Sequence, residues 1–163
     1  MSKSGVYYGM KEKMKEKNLI QPIFDLDGTL IVENRGSKRL FDFTNPSAIL
    51  NLTENDLTPL GILVRDSGKQ FDILTARGSQ SSPFIREALI KLGFNVRKIV
   101  AVGVDINEPA DWAKVSSKKV VQKKQRVVRF ILRKLVDNDA RNLEGLGELG
   151  ELVTQDQTEF QTN

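Results

Sequence analysis

Three apolar segments of this chain each run into an oxygen-bearing side chain, and that repeated ending constrains the fold more than any other feature. Leu19 to Leu26 is β-compatible and enters a loop at Asp25; Gln70 to Leu74 stops at Thr75; Leu135-Val136 ends at Asp137. Short apolar runs separated by helical patterns read as strands buried on both faces of a parallel sheet. Pro22 lies near the start of the first strand, where a missing ladder donor is tolerated. Val96 to Val104 supplies a further strand, so that Leu135-Val136 is the fourth in chain order.

The intervening segments carry helix signals. Asn55 to Arg65 reads as a helix with Thr53 or Asn55 as cap, closed by the turn Asp66-Ser67-Gly68-Lys69. A second helix has Pro83 in its first turn and Phe84, Ala88, Leu89 and Leu92 on one side, and ends at Gly93. Residues 105–117 read as a loop, because Glu108-Pro109 disfavours helix. A basic helix follows from about Lys118 to Arg133, with Val120, Val121, Val127, Val128, Ile131 and Leu132 as its apolar stripe. At the edges, residues 10–18 predict a short polar helix with Met10 and Met14 on one face. Asn34-Arg35-Gly36-Ser37 and Asn45-Pro46-Ser47 predict turns. The Gly- and Glu-rich stretch 146–163 predicts a flexible tail. Alternation of strand and helix places the chain in the α/β class, with one domain over 19–145 after an extension over 1–18. In such sheets ligands bind beyond the carboxyl ends of the strands. Asp25, Thr75 and Asp137 are therefore expected at one edge.

Composition narrows the chemistry. The 163 residues contain no Cys and no His, which removes disulfides, thiolate or imidazole metal sites, and catalysis by Cys or His. Carboxylates, hydroxyls, lysines, backbone groups and a hard cation remain. The start Met1-Ser2-Lys3-Ser4-Gly5 lacks the apolar region of a signal peptide, and no apolar run is long enough to cross a membrane. The expectation is a cytoplasmic protein without a membrane partner. The formal net charge is only +4, but it is unevenly spread: from Lys114 to Lys134 every charged residue is basic.

The run Phe24-Asp25-Leu26-Asp27-Gly28-Thr29-Leu30 resembles the signature of the haloacid dehalogenase superfamily of phosphohydrolases. Later segments follow in the superfamily's order: a strand leaving at Thr75, a lysine on a helix, and an acidic cluster after an apolar strand. The resemblance spans about residues 20 to 143. It implies a three-layer Rossmann-like sheet with helices on both faces, and Mg²⁺-dependent hydrolysis of a phosphomonoester through an aspartyl-phosphate on Asp25. Asp27 is then the general acid and base. Gly28 lets the loop turn, and Thr29 can bond and fix it. Thr75, in Ile73-Leu74-Thr75-Ala76-Arg77-Gly78, corresponds to the hydroxyl that binds a phosphoryl oxygen, with the backbone around Ala76 adding N–H donors. Arg77 reads equally as a bidentate phosphate ligand and as a surface salt bridge. Among Lys118, Lys119, Lys123 and Lys124, the phosphate-binding lysine is assigned to Lys124. Val127, Val128, Ile131 and Leu132 follow it at helical spacing, so it leads the buried face; Lys123 is the nearest rival. Asp137-Asn138-Asp139 resembles the metal-holding motif but departs from it at Asn138, which ligates weakly or bonds a metal-bound water. Asp139 instead reads as a cap for a helix near Ala140. Asp25 and Asp137 through their carboxylates, and Asp27 through its carbonyl, make an oxygen set suited to Mg²⁺.

Too few residues lie between the motifs for a large cap, so the chain resembles capless or minimally capped members of the superfamily. Two substrate classes follow from that likeness: a small phosphate ester (a nucleotide or sugar phosphate) or a polynucleotide 3′-phosphate. The basic helix over 118–134 offers a nucleic-acid surface, although Phe130 stands alone there and Trp112 precedes it. The rival reading is a module that keeps this fold for binding or regulation, with weak turnover or none. Transfer to an acceptor other than water is a third. Oligomeric state leaves no mark in the sequence.

Overall fold

The structure, a computed structural model, describes residues 21–33, 38–42, 44–103 and 112–160, and the side chains of all of these except 112–117. The helix expected over 10–18 and the turn Asn34-Arg35-Gly36-Ser37 lie outside the described residues. Five parallel strands form one sheet: β1 (Ile23–Phe24), β2 (Phe71–Thr75), β3 (Val96–Ala101), β4 (Leu135–Asp137) and β5 (Gly150–Leu152), in the order β3-β2-β1-β4-β5. With its helices this is an α/β fold. The chain order reverses at the β1–β4 pair, and an open parallel sheet leaves a crevice at that point.

Register explains which side chains meet. Ile23 pairs with Asp72 and Leu135, and Phe24 with Ile73 and Val136. Successive residues of a strand point to opposite faces, and the core divides accordingly. Phe24, Phe71, Ile73, Val96 and Val136 pack with Leu60, Val64, Ile85, Ala88 and Leu89. Those residues come from α1 (Pro59–Asp66) and α2 (Ser82–Lys91). Ile23, Leu74 and Leu135 pack instead with Val127, Val128 and Ile131 of α3 (Trp112–Ile131). Asp25 and Asp137 each lie one residue beyond Phe24 and Val136, so both fall on the α3 face. Thr75 lies one residue beyond Leu74 and falls on the other.

Several expectations need correction. The helix expected over Asn55–Arg65 is broken. Glu54–Asp56 is a single 3-10 turn capped by Thr53, and α1 starts afresh at Pro59. A residue before proline is driven out of the helical region; Thr58 is extended, and its Oγ1 accepts from Gly61 N–H as the new N-cap. The loop expected over 105–117 ends by Trp112, where α3 already begins. Pro109 bars helix only up to its predecessor, and Ala113 and Lys114 in the first turn of α3 favour helix. At the other end α3 stops at Ile131, short of Arg133, and Leu132 turns to φ 56°.

The tail expected to be flexible over 146–163 carries β5, which pairs with β4 along Leu135↔Gly150, Val136↔Glu151 and Asp137↔Leu152. Val153 is buried in the core beyond it. Glycine and glutamate are poor strand formers in isolation, but β4 offers an open edge, and ladder bonds require only backbone. Between β1 and α1, Leu40, Ala48, Ile49, Leu52 and Leu57 are buried, and Leu40, Ile49, Leu52 and Leu57 join the same cluster as β1 and β2. Among the described residues no helix is long and apolar enough to cross a membrane.

Candidate active site

A cavity of about 540 Å³ opens at the carboxyl ends of the strands, lined among others by Asp25, Asp27, Ala76, Arg77, Lys124 and Asp137. Its floor is set by hydrogen bonds between chain segments far apart in sequence. Asp25 N–H donates to Val136 O at 2.9 Å, which extends the β1–β4 ladder into the loop. Lys124 Nζ then sits between two carboxylates, 2.7 Å from Asp25 Oδ1 and 3.0 Å from Asp137 Oδ2. Lys124 is 1% exposed, whereas Lys118, Lys119 and Lys123 face solvent. The helical spacing that put Lys124 ahead of the apolar stripe accounts for the difference.

The loop after β1 is held from inside. Leu26 O accepts from the N–H groups of Thr29, Leu30 and Ile31. Thr29, buried, donates its hydroxyl to Asp25 Oδ2 at 2.9 Å. Gly28 has φ +79°, and a Cβ there would overlap the Asn138 amide group. Only glycine meets both demands. The contact brings Asn138 against the first acidic loop, where its Nδ2 donates to Glu33 Oε1 at 3.3 Å. Asp137 Oδ1 accepts from Asp139 N–H at 2.9 Å, and Oδ2 also accepts from Asn142 Nδ2 at 3.0 Å. Asp139 caps the 3-10 turn Ala140–Asn142 by accepting from Arg141 N–H, and pairs with the Arg141 guanidinium.

Asp27 belongs to a second unit. Arg77 is 2% exposed and meets it with a two-pronged fork: Nε donates to Oδ2 at 2.9 Å and Nη2 to Oδ1 at 2.7 Å. Phe41 backs the guanidinium, its ring centroid 5.0 Å from Cζ. Arg77 is thus a buried partner of Asp27, and not a surface pair. Thr75 is fully buried on the face away from Lys124, and its Oγ1 accepts from Arg77 N–H at 3.1 Å. It is not among the cavity-lining residues, while Ala76 and Arg77 are. The structure therefore brings Asp25, Asp137 and Lys124 together, joins Asp27 to Arg77 beside them, and sets Thr75 behind Arg77.

Electrostatics follow from this packing. Burial is the main influence on Asp25 and raises its pKa to about 7; Asp137 and Asp27 add to the rise, and Lys124 opposes it. Burial alone would lower the Lys124 pKa, but the charges of Asp25 and Asp137 outweigh it and raise the pKa. Three carboxylates thus face two cations. Among the described residues no three acidic side chains converge on one point as a ready metal cage. The donor set still fits Mg²⁺: Asp25 and Asp137 supply hard oxygens in a pocket short of positive charge, and Asp27 has a carbonyl to add. Asn142 Oδ1 is buried without a hydrogen-bond partner among the described residues, an acceptor that a metal-bound water would satisfy.

Sequence reasoning missed Asn142, Phe41 and Glu33 as parts of this cavity. The spacing Asp137 to Asn142 around a capped turn was a usable signal for the first; nothing local marked the other two. Comparison with family models, with curated proteins and with solved structures returned no match.

Proposed function

We propose that this chain is a Mg²⁺-dependent phosphomonoester hydrolase of the haloacid dehalogenase-like superfamily, acting through an aspartyl-phosphate on Asp25. The observation that carries the reading is the Lys124 ammonium bridging two buried carboxylates, Asp25 and Asp137, that leave neighbouring strands on one face. The strand order and the two core clusters, one on each set of alternating strand residues, support a doubly wound, Rossmann-like arrangement. The burial of Leu40, Ile49, Leu52 and Leu57 in the main core supports a small cap or none.

Bound Mg²⁺, held by the carboxylates of Asp25 and Asp137 and the carbonyl of Asp27, would neutralise phosphoryl charge and lower the repulsion between two anions. A carboxylate oxygen of Asp25 attacks phosphorus as the ester P–O bond breaks, and Asp27 delivers a proton to the departing oxygen. A water then gives its proton to Asp27 and attacks the phosphorus of the aspartyl-phosphate, which frees phosphate and restores Asp25. Lys124 offsets negative charge on Asp25 in both steps. Arg77 holds Asp27 by both oxygens and fixes its direction, and Thr29 fixes that of Asp25. The substrate is a phosphorylated small molecule or the 3′-phosphate of a polynucleotide.

A chromogenic phosphate ester with Mg²⁺ tests this directly. Turnover should appear with the native chain and fall at least about a thousandfold in Asp25→Asn. No turnover, or the same turnover in the variant, sinks the reading. The first of those outcomes favours the rival, a binding or regulatory module on the same fold. The fork of Arg77 on Asp27, which engages both oxygens of the proton-transferring group, is the observation on that side.

A further inference from the structure

The outward face of α3 has no role in the chemistry above. Its exposed residues are Lys118, Lys119, Gln122, Lys123, Arg126, Arg129 and Phe130. At about 100° per residue these seven share one arc of the helix, opposite buried Val120, Lys124 and Val128. Lys119, Lys123, Arg126 and Phe130, at i, i+4, i+7 and i+11, form a row along one side of that arc. At about 1.5 Å of rise per residue the row is about 16 Å long, with cations about 4–6 Å apart along the axis. The helix contains no acidic residue. None of Lys118, Lys119, Lys123, Arg126 and Arg129 makes an ion pair among the described residues. Elsewhere Arg65, Arg77, Arg97, Arg133 and Arg141 are all paired. At the end of the row stands Phe130, 88% exposed, the most exposed large apolar side chain described.

We propose that this face binds single-stranded nucleic acid, with backbone phosphates on Lys119, Lys123 and Arg126 and an unpaired base stacked on Phe130. The charge is complementary and uncommitted, so binding loses no internal ion pair. The row suits a backbone whose charges recur every several ångströms, and counterion release from that backbone supplies the driving force. An aromatic ring that stands free at the end of a cationic row is the pairing single strands use: a groove of charge for the backbone and a π-face for the base. A duplex hides its bases from such a ring. A membrane surface would be met by a row of apolar side chains, and this face has one. The inference is independent of the phosphatase reading; joined to it, it selects a polynucleotide end as the substrate, since Lys124 on the opposite side of the same helix reaches the cavity.

The test uses a fluorescein-labelled oligothymidylate without a terminal phosphomonoester, so the cavity is not engaged. Binding by anisotropy should weaken linearly in log–log form as salt rises. The triple variant Lys119→Gln/Lys123→Gln/Arg126→Gln should bind about tenfold or more less tightly, with the slope shallower by about 2. Phe130→Ala should weaken binding about tenfold, and Asp25→Asn should bind as the native chain does. Native-like binding by the triple variant or by Phe130→Ala overturns the proposal. So does equal competition by a duplex, by polyglutamate or by phosphatidylserine vesicles at matched charge. Circular dichroism of each variant separates lost contacts from lost fold. Failure of phosphatase activity would leave all these outcomes untouched.

Discussion

At Asp25, the proposed function and stability pull in opposite directions. The nucleophilic role proposed for it needs a carboxylate, yet burial lifts this carboxyl from 3.8 to about 7. In metal-free buffer the folded chain therefore keeps a proton that the unfolded chain has released. The contribution of Asp25 to stability is present below the unfolded value and is lost as pH rises through about 7. Asp25→Asn removes this dependence. Urea midpoints of native and variant protein in EDTA should diverge in the variant's favour from about pH 4 to about pH 8; parallel curves would contradict the assignment. Asp72 shows the reverse. Burial would raise its pKa, but hydrogen bonds from Arg97 and Arg133 prevail and hold it at about 2. Its contribution is present above the unfolded value and disappears as pH falls through about 2. Arg133 also donates to Gln21 O and Pro22 O, so Asp72 anchors the start of β1. Asp72→Asn leaves that guanidinium buried and underpaired, and should cost about 3 kcal/mol in urea denaturation.

Among the elements, α3 ends in the least favourable backbone. Leu132 has φ 56° and is 58% exposed, so it gives up left-handed strain for little burial. Leu132→Gly should stabilise the chain by about 0.5–1 kcal/mol, read as a higher thermal midpoint. The same elements show what was legible beforehand. Strands β2 and β4 and helix α2 were readable because each buries a run or a stripe that composition alone announces. The exits at Asp25, Thr75 and Asp137 were readable for the same reason, since each apolar run leads up to one of them. β5 was not, because Gly150-Glu151-Leu152 has no preference of its own and is a strand only where β4 offers an edge. The facing of Thr75 depended on whether it lay an odd or even number of residues from the pairing register, which needs the partner strand. Lys124 was separable from its neighbours because helical period is local; the Arg77–Asp27 pair spans 50 residues and left no periodic trace.

In the whole molecule, charge and connectivity converge on one edge of the sheet. If the carboxylates of Asp25 and Asp137 hold Mg²⁺, the ion stabilises the folded state by mass action, by about 2.7 kcal/mol at a hundredfold excess over Kd. The gain in thermal midpoint should be larger at about pH 8 than at about pH 5, because the ion must displace the proton that burial keeps on Asp25. It should shrink in Asp137→Asn. A midpoint unmoved by Mg²⁺ at both pH values would rule out a metal at these carboxylates.

The middle strand is only two residues long, and this fixes the order in which the site can be assembled. β1 has no neighbour within its own stretch of chain: it must wait for β2 on one side and for β4, the later to be synthesised, on the other. The bond from Lys124 to Asp25 closes a loop of 99 residues, and the approach of Thr29 to Asn138 one of 109. Contacts of such separation form late, after the local β2–α2–β3 unit has given them a surface to dock on. A chain emerging in order thus presents Asp25 before it has Lys124 and Asp137, the other half of the pocket. Under the function proposed above, competence would appear with the closing of the sheet, and a half-made chain would lack the Lys124 and Asp137 side of the site.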